Sequence, residues 1–421
     1  MVSGAAIFAQ RLAEGMSARG HHILVAAASD TGPAYLQQNG NLSILRLRSI
    51  HNPMRVGQRF MLPSRRAVLQ ALRDFQPDLI HTHDPFQLGL TGLEYARRAG
   101  IPVAFSIHQL PWFIASYLPS NLRAQTESVL WKYAAWLLKQ FSILLAPTRT
   151  ISDIVAERTG LRPRTISYGL DLSAFSASPL NPDRERTLRR QLGLPANVLV
   201  ILHVGRLDTD KRVDRVIRAA ARTMSATEAR LLLVGDGREK PALIQLARSL
   251  GVAERVHFPG FVTMEHGLPE IYRLARLFVT ASEIETQGIV LLEAAASGLP
   301  IAAVRATCIP EIVHVGENGF LAEPGDIDAL ARSMTTILNN AELARQMGQA
   351  SHRLAQIHDQ RVTMDLHEEL YCELISHPCD LHIPYRAPTP VKHSTQPAGL
   401  PERISQISSR HRTAHAAGER K

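Results

Sequence analysis

The sequence predicts an α/β protein built from two doubly wound domains that face each other across a cleft, and three observations carry that prediction. The chain has 421 residues, more than one hydrophobic core ordinarily serves. Short apolar runs alternate with helix-patterned stretches in two successive series, the pattern of parallel sheets covered by helices on both faces. Finally, His108, Arg206, Asp236 and Glu285 each follow an apolar run. Ligands in open α/β sheets bind outside the carboxyl ends of the strands, where such residues would collect.

The first series opens with a helix, because Ile7, Ala9, Leu12, Ala13 and Met16 recur at helical spacing before Gly20. HHILVAAASD reads as a buried strand, and LSILRLRSI alternates apolar and basic residues as a half-exposed strand would. Further strands are expected over 79–83 and 103–107, with His108 in the loop after the second. QFSILLAPTRTISDIVAE runs from a strand into a helix, and RTISYGLDLSAF closes the series. Residues 179–195 are charged and bounded by prolines, which suits a linker. VLVILHVGR, ARLLLVGDG, RVHFPGF and LFVTAS are the strands of the second series. Domains are therefore expected over 1–176 and 177–357, followed by a last helix over 358–376. Residues 377–421, rich in Pro, Ser, His and Arg without periodicity, read as a disordered basic tail.

Formal net charge is +9, with 45% apolar and 20% charged residues. No uninterrupted apolar run reaches the ~18 residues of a membrane span. The start lacks the apolar core of a secretory signal. Cys308, Cys372 and Cys379 form no zinc pattern and read as reduced thiols, so a cytoplasmic protein is expected. The excess charge is concentrated: residues 46–73 hold seven arginines and no acid. Such a surface attracts nucleic acid, anionic lipid or a phosphorylated ligand. No helix-turn-helix, RNA-binding or zinc-finger signature supports a nucleic-acid partner, and no strand is followed by the G-x-G-x-x-G of a dinucleotide enzyme.

The densest chemistry lies over 282–304, SEIETQGIVLLEAAASGLPIAAV. A helix beginning near Gly288 directs unpaired amides at whatever precedes it, so its mouth can hold an anion. Glu285 precedes that mouth and Glu293 sits inside the helix; Gly298 suits a left-handed cap before the strand 301–304. An ordinary αβ unit with two surface acids would look the same. In LHVGRLDTDKR, Gly205 lets backbone approach a phosphate while Arg206 and Lys211 supply charge. At ~4 Å and an effective dielectric near ~20, each such contact is worth about 4 kcal/mol before desolvation. That charge serves a reaction in which negative charge grows on a departing diphosphate. VGDG, at 234–237, reads as architecture. His81 and His83 suggest a metal, but no matching carboxylate cluster lies near them beyond Asp84.

Taken in order, GRLDTDKR, LLLVGDG, VHFPGF, ETQGIVLLEAAASGLPIA and ENGFLAEPGD resemble the family 4 retaining glycosyltransferases of GT-B fold, with two Rossmann-like domains. The resemblance runs from residue 1 to about 375. It implies that Arg206 and Lys211 hold the donor diphosphate, that Gly4 and Gly205 belong to the donor-binding site, and that Glu293 binds the ribose. Glu285 and the backbone amides of Gln287, Gly288 and Ile289 would face the transferred sugar and its phosphate. His108 would contact that sugar, Phe261 and Val262 would border the base, and the helix over 361–375 would cross back to the first domain. The ETQG form of the glutamate loop resembles that of transferases acting on diacylglycerol. The expected donor is a UDP-linked hexose and the acceptor a lipid, with no metal or other cofactor. An anionic membrane surface would meet the arginines of 46–73, placing the protein at the inner face of the cell membrane. The helix around Trp131, Tyr133, Trp136, Leu137 and Phe141 is a second membrane candidate, or else a core helix.

Two features depart from that family's pattern. Members begin with a strand and a glycine-rich turn; this sequence keeps Ser3 and Gly4 without the strand, which would leave neighbouring strands unpaired. A late start codon or a truncated gene accounts for this, and an inactive remnant is one alternative. The hinge SYGLD carries Tyr168 where Asn is usual. A nucleotide-sugar epimerase of the same fold is the other alternative, distinguished by turnover of donor without acceptor.

Overall fold

The second half of the chain forms one six-stranded parallel sheet. From edge to edge its strands are Val256–Gly260, Arg230–Val234, Val200–Val204, Leu277–Val279, Ile301–Val304 and Gly319–Ala322. This is the 3-2-1-4-5-6 order of a doubly wound dinucleotide-type fold, whose topological switch lies between the first and fourth strands. The central strands are buried throughout, and apolar but for His203, because helices cover both faces. This computed structural model describes residues 4–52, 59–112, 120–175 and 178–377.

The first half is α/β as well, but its strands fall into separate sheets. Ile23–Ala28 pairs in parallel with Leu42–Leu47, which pairs antiparallel with Tyr35–Asn39. Ile80–Thr82, Val103–Ser106, Ile143–Ala146 and Arg164–Thr165 make a four-stranded parallel sheet. Among the described residues, no strand joins Ile23–Ala28 to Ile80–Thr82. The seam falls where a first strand was expected, and Ile23–Ala28 is half-buried along its whole length rather than buried. The antiparallel Tyr35–Asn39, exposed at every residue, was not anticipated by the all-parallel reading.

The stretch 179–195 is not a plain linker. It contains a helix, Pro182–Gln191, with Asn181 as N-cap, Pro182 in the first turn, Asp183 and Glu185 at its positive end and Arg189 and Arg190 at its negative end. Leu188 joins the core of the second half. The last helix, Gln360–Ser376, packs on the first half: Leu370 and Leu374 cluster with Ala104, Leu145 and Ile166. Arg19 pairs with Asp365 and Glu368 at its flank.

The basic segment 46–73 is partly compensated in three dimensions. Arg65 pairs with Glu94, and Arg59 reaches Ser49 and His51; residues 53–58 lie outside the described set. The helix Ser120–Leu138 has a core face and an exposed face. Trp131 and Leu137 are core, and so is Phe141 just beyond it, whereas Trp136 is 55% exposed on the opposite face with Val129 and Leu122. Among the described residues no helix is long and apolar enough to cross a membrane. Cys308 is buried and Cys372 exposed, both as free thiols. Cys379 and the rest of 378–421 lie outside the described residues.

Candidate active site

Strand Val200–Val204 delivers Gly205 to the switch point, where the Gly205 amide donates to Val234 O at 3.0 Å. A Cβ on Gly235 would lie 1.8 Å from Gly205 O, and Gly235 has φ +141°. Only glycine allows the two strand ends to approach so closely, so the VGDG turn is architectural. Asp236 pairs with Lys240 at 3.6 Å and stands outside the cleft. The apolar-run argument that singled it out located its strand end and not a ligand contact.

Beyond Gly205 the cations are already engaged. Arg206 pairs with Asp208 and, at 2.7 Å, with Asp210. Lys211, in the short 3-10 turn Thr209–Lys211, meets Glu285 Oε1 at 2.6 Å with both side chains mostly buried. Each cation therefore has a carboxylate in the place an anionic ligand would take. Binding a diphosphate would exchange one anion for another, which lowers the electrostatic gain below that of bare charges.

Glu285 comes from the loop after Leu277–Val279, its amide donating to Thr307 Oγ1 at 3.0 Å. Gly288 caps the following helix, Ile289–Ala296, at φ +71°. That helix has no acid in its first turn, so its positive end is open to an anion. The Gln287 side chain is buried and spans the two halves: its Oε1 accepts the Tyr168 amide at 2.9 Å and its Nε2 donates to Ser167 Oγ. Glu293 is 7% exposed. The Tyr272 hydroxyl donates to its Oε2 at 2.7 Å, leaving Oε1 without a hydrogen bond among the described residues. Burial raises the Glu293 carboxyl to about 7, although the Tyr272 hydrogen bond and Arg11 pull the other way.

On the opposite wall His108 spends both ring nitrogens. Its Nε2 shares a hydrogen bond with His83 Nδ1 at 2.8 Å, and its Nδ1 shares one with the Tyr168 hydroxyl at 2.6 Å. Phe8 stacks on Tyr168 with centroids 4.5 Å apart. Burial pushes His108 well below the usual imidazole range, and His83 to about 4, so both rings are neutral at physiological pH. His81 turns to Tyr371 and Ser106. Tyr168, noted in the sequence without a consequence, thus orients His108 with its side chain and meets Gln287 with its backbone.

His108, Arg206, Lys211, Glu285, Gly4, Gly205, Phe261, Val262, Gln287, Gly288, Ile289 and Glu293 all border one cavity of about 310 Å³. Sequence reasoning missed His83, Tyr272, Asp208, Asp210 and the Gln287 side chain as parts of this site. The two aspartates stand inside a motif that had been read for its cations. His83 was considered only as a metal ligand, and Tyr272 carries no motif signal.

Two α/β halves bordering a cleft, with a switch point, paired cations and a helix mouth on its wall, define a GT-B-like enzyme class. Residues 2–174 match Glycosyltransferase Family 4 and residues 184–353 match Glycosyl transferases group 1; the chain belongs to this glycosyltransferase family. It is 28% identical over 313 residues to the sulfoquinovosyl transferase SQD2 of Arabidopsis thaliana, covering 73% of this chain and 59% of that protein. It is 25% identical over 384 residues to an alpha-monoglucosyldiacylglycerol synthase of Acholeplasma laidlawii, covering 89% of this chain and 94% of that one. The solved Anabaena HepE, in complex with UDP-glucose, superposes with a TM-score of 0.71 at 22% identity, over 89% of this chain and 97% of that chain.

Proposed function

We propose that the protein transfers a hexose from a UDP-linked donor to a lipid acceptor of the diacylglycerol kind, with retention of anomeric configuration. The observation that supports it most is convergence: Arg206, Lys211, Glu285 and the mouth of Ile289–Ala296 border one cavity, which His108 lines from the other half. Glycolipid-forming relatives and a fold neighbour holding UDP-glucose support the choice of acceptor and donor.

In this reading Arg206 and Lys211 turn from their carboxylate partners to the diphosphate and stabilise charge as it leaves. The amides of Gln287, Gly288 and Ile289 hold the phosphate nearest the sugar, and Glu293 Oε1 takes a ribose hydroxyl. Glu285, released from Lys211, faces the sugar. The acceptor hydroxyl attacks the anomeric carbon from the face that the diphosphate leaves, and the departing phosphate oxygen takes its proton. Arg206 and Lys211 supply the charge stabilisation that a divalent cation would supply elsewhere. The exposed Trp136, Val129 and Leu122 face and the arginines of 46–73 would meet an anionic bilayer at the cytoplasmic side.

The test is incubation of the full chain with UDP-glucose, with and without diacylglycerol in anionic vesicles, in the presence of EDTA. The expected result is acceptor-dependent UDP release and an α-linked glycolipid by NMR. Acceptor-independent change of the sugar would make the protein an epimerase, and no turnover of any nucleotide sugar would overturn the reading altogether.

A further inference from the structure

One buried polar atom at the cleft has no role in the chemistry above. His203 lies in strand Val200–Val204, is 1% exposed, and lines the cavity with Gly205, Lys211 and Glu285. Its Nδ1 lies 3.0 Å from Val279 O. A carbonyl oxygen can only accept, so Nδ1 carries the proton and Nε2 is left with a lone pair. That Nε2 is buried and has no hydrogen-bond partner among the described residues. Native proteins seldom leave a buried acceptor unmatched, because its lost hydration is not returned. Phe278 lies alongside the ring, and turning the imidazole over would give up the bond to Val279 O.

The approach to Nε2 from the cleft depends on Gly205. A Cβ at that position would stand 3.4 Å from His203 Nε2 and 3.9 Å from its Cε1, covering the atom. Chain neighbours aside, a Cβ at 205 would meet only His203 within 4 Å, so glycine leaves room beside Nε2 at the wall that His203 lines. The same wall carries Lys211 and Glu285, which the proposed function places at the diphosphate and the transferred sugar.

We propose that His203 Nε2 accepts a hydrogen bond from one hydroxyl of the transferred sugar and so helps determine which sugar the protein takes. The assignment rests on the proposed function, since it needs a sugar held between Lys211 and Glu285. A neutral acceptor with a fixed tautomer distinguishes a hydroxyl in one position from its absence or its inverted epimer. A hydroxyl must be present to fill it, because a deoxy sugar leaves the buried lone pair unmatched. His203 positions and selects; the leaving-group charge stays with Arg206 and Lys211.

The experiment measures kcat/KM for UDP-glucose and its monodeoxy analogues with the full chain, as wild type, His203→Phe and His203→Gln, alongside calorimetric binding of UDP alone. Wild type should lose about tenfold with one deoxy analogue beyond its loss with the others. His203→Phe should lose about the same with UDP-glucose and show no further loss with that analogue, while UDP alone binds all three proteins equally. His203→Gln, which keeps an acceptor, guards against a Phe variant that fails to fold and should recover part of the discrimination. Equal discrimination in wild type and His203→Phe, or equal loss of UDP affinity, overturns the assignment. A wild type that neither binds UDP nor turns over any sugar nucleotide overturns the proposed function instead.

Discussion

At the scale of single residues, burial shifts titratable groups of the site away from their ordinary protonation. Glu293 is the plainest case. Its carboxyl stands at about 7 in the fold against 4.5 for an ordinary glutamate, so the protonated form is favoured. Stability from this group is therefore fully present below about pH 4.5 and lost as pH rises through about 7, where the buried oxygen must carry charge. Glu293→Gln removes the titration. Without ligand, the variant should be more stable than wild type at pH 8, by on the order of 3 kcal/mol, with the difference vanishing near pH 4.5. Urea unfolding at the two pH values checks this, and a pH-independent difference contradicts it. Tyr168 shows the limit of reading single residues. Its departure from the usual Asn was visible in the sequence, but its meaning lay in His108, 60 positions away.

At the scale of elements, helix Ile289–Ala296 carries the anion-binding argument, and Gly288 sets its entry. Gly288 has φ +71°, and a Cβ there would come within 2.7 Å of Leu291 Cδ1. Alanine at this position should cost about 1–2 kcal/mol for the left-handed backbone and push Leu291 aside, shifting the loop amides. Gly20, at φ +96° with nothing within 4 Å of a Cβ, is the control. Gly288→Ala should lower both thermal stability and UDP affinity, whereas Gly20→Ala should lower stability alone. Equal UDP affinity in the two variants contradicts this role for the loop. This helix, its Gly298 cap at φ +73° and the buried strand Ile301–Val304 were legible in the sequence because apolar runs, glycine and proline fall at fixed offsets. Pro182–Gln191 was read as linker although Asn181, Pro182, the early acids and the late arginines spell out a helix. With Leu188 its main apolar anchor, its hydrophobic period is too faint to stand out. Tyr35–Asn39 escaped because a fully exposed strand has no inside-outside alternation.

At the scale of the whole molecule, polar clasps join the two halves and fix the width of the cleft. Thr148 Oγ1 donates to Thr286 O at 3.0 Å, and the amides of Arg149 and Thr150 donate to the Glu311 carboxylate at 3.1 and 2.7 Å. Gln287 holds Ser167 and Tyr168, while the last helix straps back across the first half. These partners stand far apart in the chain, so periodicity and motif spacing could not reveal them. The motifs could place residues at strand ends; only the folded halves show that Lys211 meets Glu285 and that Arg206 is held by two aspartates. The account stands or falls on one cleft built for a nucleotide diphosphate. Calorimetric titration of the full chain with UDP tests it most directly, using wild type, Arg206→Ala and Lys211→Ala. The account predicts saturable one-site binding by wild type, weakened at least tenfold in each variant and by more in Arg206→Ala, which also leaves Asp208 and Asp210 unpaired at the cleft. Absence of binding at millimolar UDP, or undiminished affinity in both variants, would contradict it.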